Sequence, residues 1–273
     1  MRDHLLNIVE KRNDLPPLPE SIIRLRDTIE DPDSGVAEVI QVIKADPVLS
    51  GRLIQMANNV FYHGGGFPVN NLPRALSRLG LKMALDIAYS IELPRLFNKI
   101  QVVRLSEFWK YSLAQAIAAT EFTQKFGGNR DDMSHAYLGG LMNNIGILVF
   151  AHIIPEEYAE IFDPPPDMRL ELAEVQKFGI SHAELGSRFI EKWWPVSKEV
   201  VTYVRRRPSK PKPKIIHAVS ISNLFLMAEG TPTGLPTKKN KMEKEEILKT
   251  FDMTEEEYLN LRSKIASALH PTG

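Results

Sequence analysis

Apolar residues that recur at helical spacing constrain the fold of this chain more than any other sequence feature. Stripes that start at Ile22, Val36 and Leu49 repeat every three or four residues, and helix-breaking segments separate them. Asp46, which is followed by proline, is a helix-start signal, and Ser34 is a second predicted cap. No segment shows the alternation of a half-buried strand. The sequence therefore predicts an all-α, multi-helix fold.

Glycines and capping residues bound the helices that follow. Gly80 separates predicted helices over 72–79 and 81–97. The Ser-x-x-Glu pattern that starts at Ser181 is a capping box, and it opens a helix that reaches Trp193. Trp194 follows directly, and residues 100° apart on a helix cannot both face one core. The two tryptophans are interpreted mainly as core or domain-junction residues, and exposure of one of them on a contact surface is the alternative.

The segment GLMNNIGILVF (140–150) places two adjacent amides, Asn143 and Asn144, in the middle of a helix predicted over 134–152. Asparagine is a poor helix former, and an amide is costly to bury. Buried amides need hydrogen-bond partners, and Tyr111 and Asn223 are candidates.

Composition excludes several functional classes. The 273 residues are 43% hydrophobic, which is enough for a sizeable core, and 34 basic residues balance 34 acidic ones. The absence of cysteine excludes disulfides, zinc ribbons and thiol catalysis. The N-terminal segment does not resemble a signal peptide, and no run reaches the roughly 18 apolar residues of a membrane span. A cytoplasmic protein without a membrane partner is expected.

A proline-rich basic segment, RRRPSKPKPK (205–214), carries the densest positive charge. It is interpreted either as a solvated linker or as an anion-binding patch formed by Arg205, Arg206 and Arg207. The segment has no aromatic residue on which a base could stack, so a nucleic-acid partner is not expected.

Six segments, in order along the chain, resemble the HDOD family, a bacterial signalling module related to the HD phosphohydrolases. They are LPPLPESIIRL (15–25), VIKADPVLSGRLIQMANNVFY (42–62), ALSRLGLKMAL (75–85), FWKYSLAQA (108–116), GLMNNIGILVF (140–150) and SHAELGSRFIEKWWP (181–195). Each motif is weak alone, but six in order are specific. The resemblance implies an HDOD domain over 14–211, an N-terminal helical lobe over 14–105 and an HD-like lobe over 106–229. A charged helical extension occupies 230–273.

The resemblance also implies that the HD metal site has changed its chemistry. Asn143 and Asn144 stand where HD enzymes carry the His-Asp pair that binds a metal. The other corresponding positions hold a phenol, an imidazole, two guanidinium groups and an amide: Tyr111, His182, Arg205, Arg206 and Asn223. Together these seven positions are called the relic site. Neutral amides and permanent cations are poor metal ligands, so no metal and no cofactor are expected.

Three functions remain open from the sequence. The resemblance favours a non-catalytic bacterial signal-transduction module that acts by protein–protein interaction with a signalling or regulatory protein, with a homodimer as a further possibility. One alternative is a metal-dependent phosphohydrolase of the HD superfamily. The other is a nucleotide or anion binder that uses Arg205, Arg206 and Arg207. A small ligand bound at the relic site, in place of the metal, is a further alternative.

Overall fold

The structure is a computed structural model that describes residues 1–11, 17–58, 67–162, 168–194, 196–205, 217–231 and 242–269. In those ranges the chain is helical and contains no strand, which confirms the predicted all-α fold. The helices are α1 (Arg2–Lys11), α2 (Glu20–Glu30), α3 (Val36–Lys44), α4 (Pro47–Ala57), α5 (Leu72–Leu79), α6 (Leu81–Leu96), α7 (Leu105–Lys125), α8 (Arg130–Met142), α9 (Ile145–Ile153), α10 (Pro155–Ala159), α11 (Leu170–Phe178), α12 (His182–Trp193), α13 (Lys198–Arg205), α14 (Ala218–Ala228), α15 (Lys244–Thr250) and α16 (Glu255–Leu269).

The chain packs into two compact units. The first comprises Met1–Pro17 and Phe97–Tyr258, and the second comprises Leu18–Leu96 and Leu259–Gly273. The relic positions that the structure describes all belong to the first unit. The lobe boundaries expected from the resemblance stay a prediction.

Helix starts in the second unit follow local capping chemistry. The Asp46 carboxylate accepts hydrogen bonds from the N–H groups of Val48 (2.9 Å) and Leu49 (3.0 Å), as predicted. Helix α3 begins one residue later than the Ser34 signal indicated. Ser34 Oγ donates instead to the Asp31 carboxylate at 2.7 Å, and Gly35 becomes the cap residue. The hydroxyl is used inside the preceding turn, so it does not cap the helix.

Helix α6 buries a hydroxyl group that has no hydrogen-bond partner among the described residues. Tyr89 is 1% exposed, and its Oη lies unpaired in the core of the second unit. Burial raises the pKa of the Tyr89 phenol, because the charged form would lose its hydration. The hydroxyl therefore contributes a desolvation cost without a compensating bond.

We expect Tyr89→Phe to raise the free energy of unfolding by about 1 kcal/mol, because it removes an unpaired buried hydroxyl. Tyr158→Phe is the matched control. The Tyr158 hydroxyl donates to Glu174 Oε1 at 2.6 Å, so its removal should lower stability. Urea denaturation of both proteins provides the measurement. A destabilised Tyr89→Phe protein would contradict the unpaired state of this hydroxyl.

The first unit is built around an antiparallel pair, α7 and α8, that a short turn connects. The two helices approach closely because Gly140 of α8 lies against the backbone of Gln115 and Ala116 of α7. Helix α14 also packs on α7, and α13 packs on α8, where Gly139 faces Tyr203. Helix α9 packs on α12. These contacts bring together segments that are distant in the sequence.

The helix predicted over 134–152 is two helices, and the break falls at Asn143 and Asn144. The N–H of Asn143 donates to the Gly140 carbonyl at 3.3 Å, and the N–H of Ile147 donates to the Asn144 carbonyl at 3.0 Å. Both bonds span three residues, so the backbone tightens locally instead of continuing the α-helical ladder. Asparagine favours helix ends over helix interiors, which accounts for the position of the break.

The stretch Arg130–Ile153, which contains this break, is long and apolar enough in composition to cross a membrane, with a mean hydropathy of 1.4 in its most apolar window. However, 94% of that window is buried inside the protein. The stretch therefore has the burial of a core helix.

Neither of the adjacent tryptophans is exposed, which agrees with their interpretation as core residues and not with the alternative of an exposed contact residue. Trp194 is 2% exposed and packs edge-on against Phe189, with ring centroids 4.7 Å apart. Trp193 is half-buried, and its Nε1 donates to the Val9 carbonyl of α1 at 2.7 Å. Helix α12 ends at Trp193, so the extended Trp194 turns inward and helix α1 covers the outward face.

The C-terminal segment from Met242 to Tyr258 packs into the first unit. The ring of Phe251 lies 5.5 Å from that of Phe225, centroid to centroid. The hydroxyl of Tyr258 donates to the Glu229 carboxylate at 2.7 Å, and Lys125 pairs with Glu257 at 2.9 Å. This part of the predicted charged extension therefore contributes to the core.

Candidate functional site

The register of α7 against α8 places Tyr111 beside the Asn143–Asn144 break. Gly140 lies against Gln115 and Ala116, and the two helices run in opposite directions. The Asn143–Asn144 break lies one helical turn beyond Gly140 along α8, and Tyr111 lies one turn before Gln115 along α7. Both amides are buried, at 4% and 5% exposure.

Helix α14 supplies Asn223 to the same region. The Tyr111 hydroxyl donates to Asn223 Oδ1 at 2.7 Å, and the phenol is 2% exposed. One turn farther along, Gln115 Nε2 donates to the Val219 carbonyl at 3.4 Å. The two relic positions Tyr111 and Asn223 are therefore bonded to each other, and this bond fastens α7 to α14.

His182 reaches the site through the contact of α9 with α12. Gly146 lies two residues after Asn144, and its backbone touches the carbonyl group of His182 and the N–H of Gly186. A side chain on either glycine would hold the helices apart. The close approach therefore sets His182, the first residue of α12, next to the helix that starts at the break.

A buried carboxylate that the sequence analysis did not identify holds His182 in place. Glu174 of α11 is 0% exposed, and its Oε2 lies 2.7 Å from the His182 backbone nitrogen and 2.6 Å from His182 Nδ1. Its Oε1 accepts the hydroxyl proton of Tyr158. With Glu174 as the acceptor, His182 Nδ1 is the donor of this hydrogen bond. No sequence motif marks Glu174.

The guanidinium of Arg205 is engaged by helix α12. Its Nε donates to Ser187 Oγ at 3.2 Å, and Nη2 lies 3.3 Å from the Glu191 carboxylate. Because the Glu191 carboxylate already neutralises part of the charge of Arg205, this guanidinium attracts a bound anion less strongly. Arg206 and Arg207 lie outside the described residues, so the anion-binding patch stays a prediction.

The donor set at the described relic positions does not fit a divalent metal ion. The Tyr111 phenol donates its proton to Asn223, and the amide groups of the two asparagines offer neutral oxygens only. The Arg205 guanidinium is a permanent cation that repels a metal. Within the described ranges, no group of three or more His, Cys, Asp or Glu residues could hold a metal ion. Transition-metal sites usually need three protein ligands.

Solved structures with the same fold extend over nearly the whole chain. A Shewanella amazonensis SB2B protein, provisionally named a phosphohydrolase, is 20% identical, with a TM-score of 0.71 over 97% of this chain and 98% of that one. An HDOD domain protein of unknown function from Geobacter sulfurreducens is 18% identical, with a TM-score of 0.70 over 97% and 89%. A Marinobacter aquaeolei VT8 protein, provisionally named a signal transduction protein, is 22% identical, with a TM-score of 0.67 over 98% and 65%. These likenesses show the fold alone.

An uncharacterized protein of Treponema pallidum (strain Nichols) is 22% identical over 228 residues, which cover 81% of this chain. The chain spans only 44% of the length of that relative. The sequence model of the HDOD domain matches residues 15–208, which is well over half of the chain. The chain therefore belongs to the HDOD domain family.

Proposed function

We propose that this protein is a non-catalytic signal-transduction module of bacteria that acts by binding a signalling or regulatory protein. The observation that carries the proposal is the hydrogen bond of 2.7 Å between Tyr111 and Asn223. At two positions where an HD enzyme would direct ligands at a metal, these side chains satisfy each other.

The chemistry of the remaining positions supports the same function. Hydrolysis by an HD enzyme needs a metal that lowers the pKa of a bound water, and that metal needs anionic or imidazole ligands. The amides of Asn143 and Asn144 provide no charge, and Arg205 is paired with Glu191. His182 is the one imidazole at a described relic position. A single imidazole is insufficient for such a site.

The proposal also includes the process in which the protein acts and its location in the cell. One fold neighbour carries a signal-transduction name, although that name belongs to the neighbour. The apolar stretch that could span a membrane is buried in the core, so it gives no reason to place the protein in a membrane, and a cytoplasmic location is part of the proposal. A module of this kind transmits a signal when a partner binds one of its conformations more tightly than another.

We expect freshly purified protein to contain far less than one equivalent of iron, manganese or magnesium, and to leave phosphate esters intact. Added Mn²⁺ should not raise its melting temperature, because a ligand stabilises a fold only by binding it. Metal analysis, a phosphatase assay and a thermal melt provide the three measurements.

A variant that restores the ligands is the matched control: Tyr111→His, Asn143→His, Asn144→Asp and Asn223→Asp in one chain. This protein should acquire Mn²⁺-dependent stabilisation if the backbone retains the HD geometry. Stoichiometric metal in the wild-type protein, together with hydrolysis that a chelator abolishes, would defeat the proposed function.

A further inference from the structure

Two side chains fasten the ends of the connection between α4 and α5. Asn58 Nδ2 donates to the Val69 carbonyl at 2.7 Å, and the Val69 N–H donates back to Asn58 Oδ1 at 2.8 Å. Arg78 donates to the carbonyls of Ala57 (2.9 Å) and Phe67 (2.6 Å). The backbone from Phe67 to Val69 is therefore held by three of these hydrogen bonds, and the fourth, to Ala57, anchors Arg78 at the end of α4.

This fixed backbone presents an aromatic ring to solvent. Phe67 is 92% exposed, the highest value for a large hydrophobic residue in the described part of the chain. Exposed aromatic residues on a rigid support are typical binding anchors, because little conformational entropy is lost when a partner covers them. The hydrogen bonds from Asn58 and Arg78 supply that support.

An open concavity of about 450 Å³ lies beside the ring. We call it the Phe67 surface, and its lining residues are Phe67, Pro68, Val69, Arg74, Ser77 and Arg78. Arg74 is exposed and forms no ion pair with any described residue. The surface thus combines an apolar wall with one guanidinium group that is available for an external carboxylate.

The charged side chains in the sequence on either side of Phe67 are all basic. Residues 47–85 contain no Asp or Glu, although the whole chain has about one acidic residue in eight. The same stretch contains Arg52, Arg74, Arg78 and Lys82. Along the sequence, the positive charges on either side of Phe67 therefore have no acidic neighbour to balance them, although the whole chain has zero formal net charge.

We propose that the Phe67 surface docks an acidic segment of the regulatory protein partner, with a carboxylate on Arg74 and an apolar side chain against Phe67 and Pro68. This inference rests on the proposed function, since it specifies where and through what chemistry the partner binds. A nucleic acid fits less well, because its affinity depends on several phosphate contacts. At this surface Arg78 is already committed to two backbone carbonyls, and only Arg74 remains.

The test uses a displayed library of random dodecapeptides that is selected on the full chain. We expect the selected peptides to be enriched in Asp and Glu beside a large apolar residue. A fluorescein-labelled selected peptide is then titrated in anisotropy measurements. Arg74→Glu and Phe67→Ser should each weaken its binding at least tenfold. A thermal melt checks that both variants remain folded.

Two surface substitutions serve as controls. Arg24→Glu reverses an exposed charge on α2, and Leu172→Ser removes an exposed apolar residue of α11. Neither residue lines the Phe67 surface, so each variant should bind the peptide within about twofold of the wild type. Selected peptides without acidic enrichment, or binding that Arg74→Glu leaves intact, would overturn the proposal.

Other occupants give distinct results. Binding of a 20-nucleotide single strand that Arg74→Glu abolishes, with no peptide selected, would assign the surface to nucleic acid. A dimer that light scattering detects in the wild type and that Phe67→Ser dissociates would assign it to a second copy. If the Phe67→Ser and Arg74→Glu proteins still bind a native regulatory partner, the docking surface is wrong and the proposed function stands. Metal-dependent hydrolysis would refute the proposed non-catalytic function, whatever the peptide experiment shows.

Discussion

Gly146→Ala is expected to lower the free energy of unfolding by about 3 kcal/mol or more, at the upper end of the cost of overpacking a core. The added Cβ would overlap the carbonyl oxygen of His182, and it would lie 2.7 Å from that carbonyl's carbon and 2.8 Å from the Gly186 nitrogen. All three are backbone atoms, so no side-chain rotation relieves the overlap. Helices α9 and α12 would have to separate. Urea denaturation provides the measurement.

Gly51→Ala is the control for the general effect of alanine in a helix. Gly51 lies inside α4, is exposed, and has open space where its Cβ would stand. Its replacement should stabilise the protein by up to about 1 kcal/mol through helix propensity. If both substitutions stabilised the protein equally, the close approach of α9 and α12 would be refuted, and with it the placement of His182 beside the break.

Glu174→Ala is expected to lower the free energy of unfolding by about 3–5 kcal/mol, the range for removal of one partner from a buried charged network. The carboxylate is fully buried and is the shared acceptor for the Tyr158 hydroxyl, the His182 imidazole and the His182 backbone. In the alanine variant, all three of these buried groups lose the acceptor that they share. Chemical denaturation, monitored by circular dichroism, measures the loss.

Two further variants separate the charge from the shape. Glu174→Gln keeps the volume and one acceptor oxygen, so it should cost less than Glu174→Ala. Glu171→Gln changes a carboxylate on the same helix whose side chain is 23% exposed and whose ion-pair partner, Arg169, is 79% exposed. Pairs with an exposed partner contribute about 1 kcal/mol or less, so this variant should lose far less stability than Glu174→Ala. An equal loss in Glu171→Gln would show that helix α11 is sensitive to any charge removal.

The relic positions are recognisable in the sequence, but not all of the side chains that hold them are. Asn143, Asn144 and His182 are recognisable because they stand at fixed places in motifs. Glu174 has no such signal: its neighbours Leu172 and Val175 are apolar yet exposed, at 50% and 46%, while the carboxylate points inward. From the apolar pattern of a helix alone, Leu172 and Val175 would be predicted to be buried and Glu174 to be exposed. Burial of Glu174 is favourable only because Tyr158 and His182 supply donors.

The same limit applies to the hydrogen bonds at the second unit's exposed aromatic ring. Asn58 and Arg78 occur within segments that carry the family resemblance, but the sequence does not show what they bind. Their acceptors are backbone carbonyls, which every residue possesses. Only the packed structure selects the carbonyls of Ala57, Phe67 and Val69.

Local information in the sequence determined the helices, since apolar spacing, Asp46 and Ser181 act within one or two turns. The resemblance of short motifs to the HDOD family also identified the relic positions, and the sequence states which side chain each of them carries. The tertiary structure decided which partner each buried polar group has. Tyr111 and Asn223 lie 112 residues apart, and Gly146 meets His182 from a different helix. Such pairings depend on how the helices pack against each other. That packing is set by complete apolar helix faces and by the few glycines that allow two backbones to touch, and neither can be recognised within one or two turns of sequence.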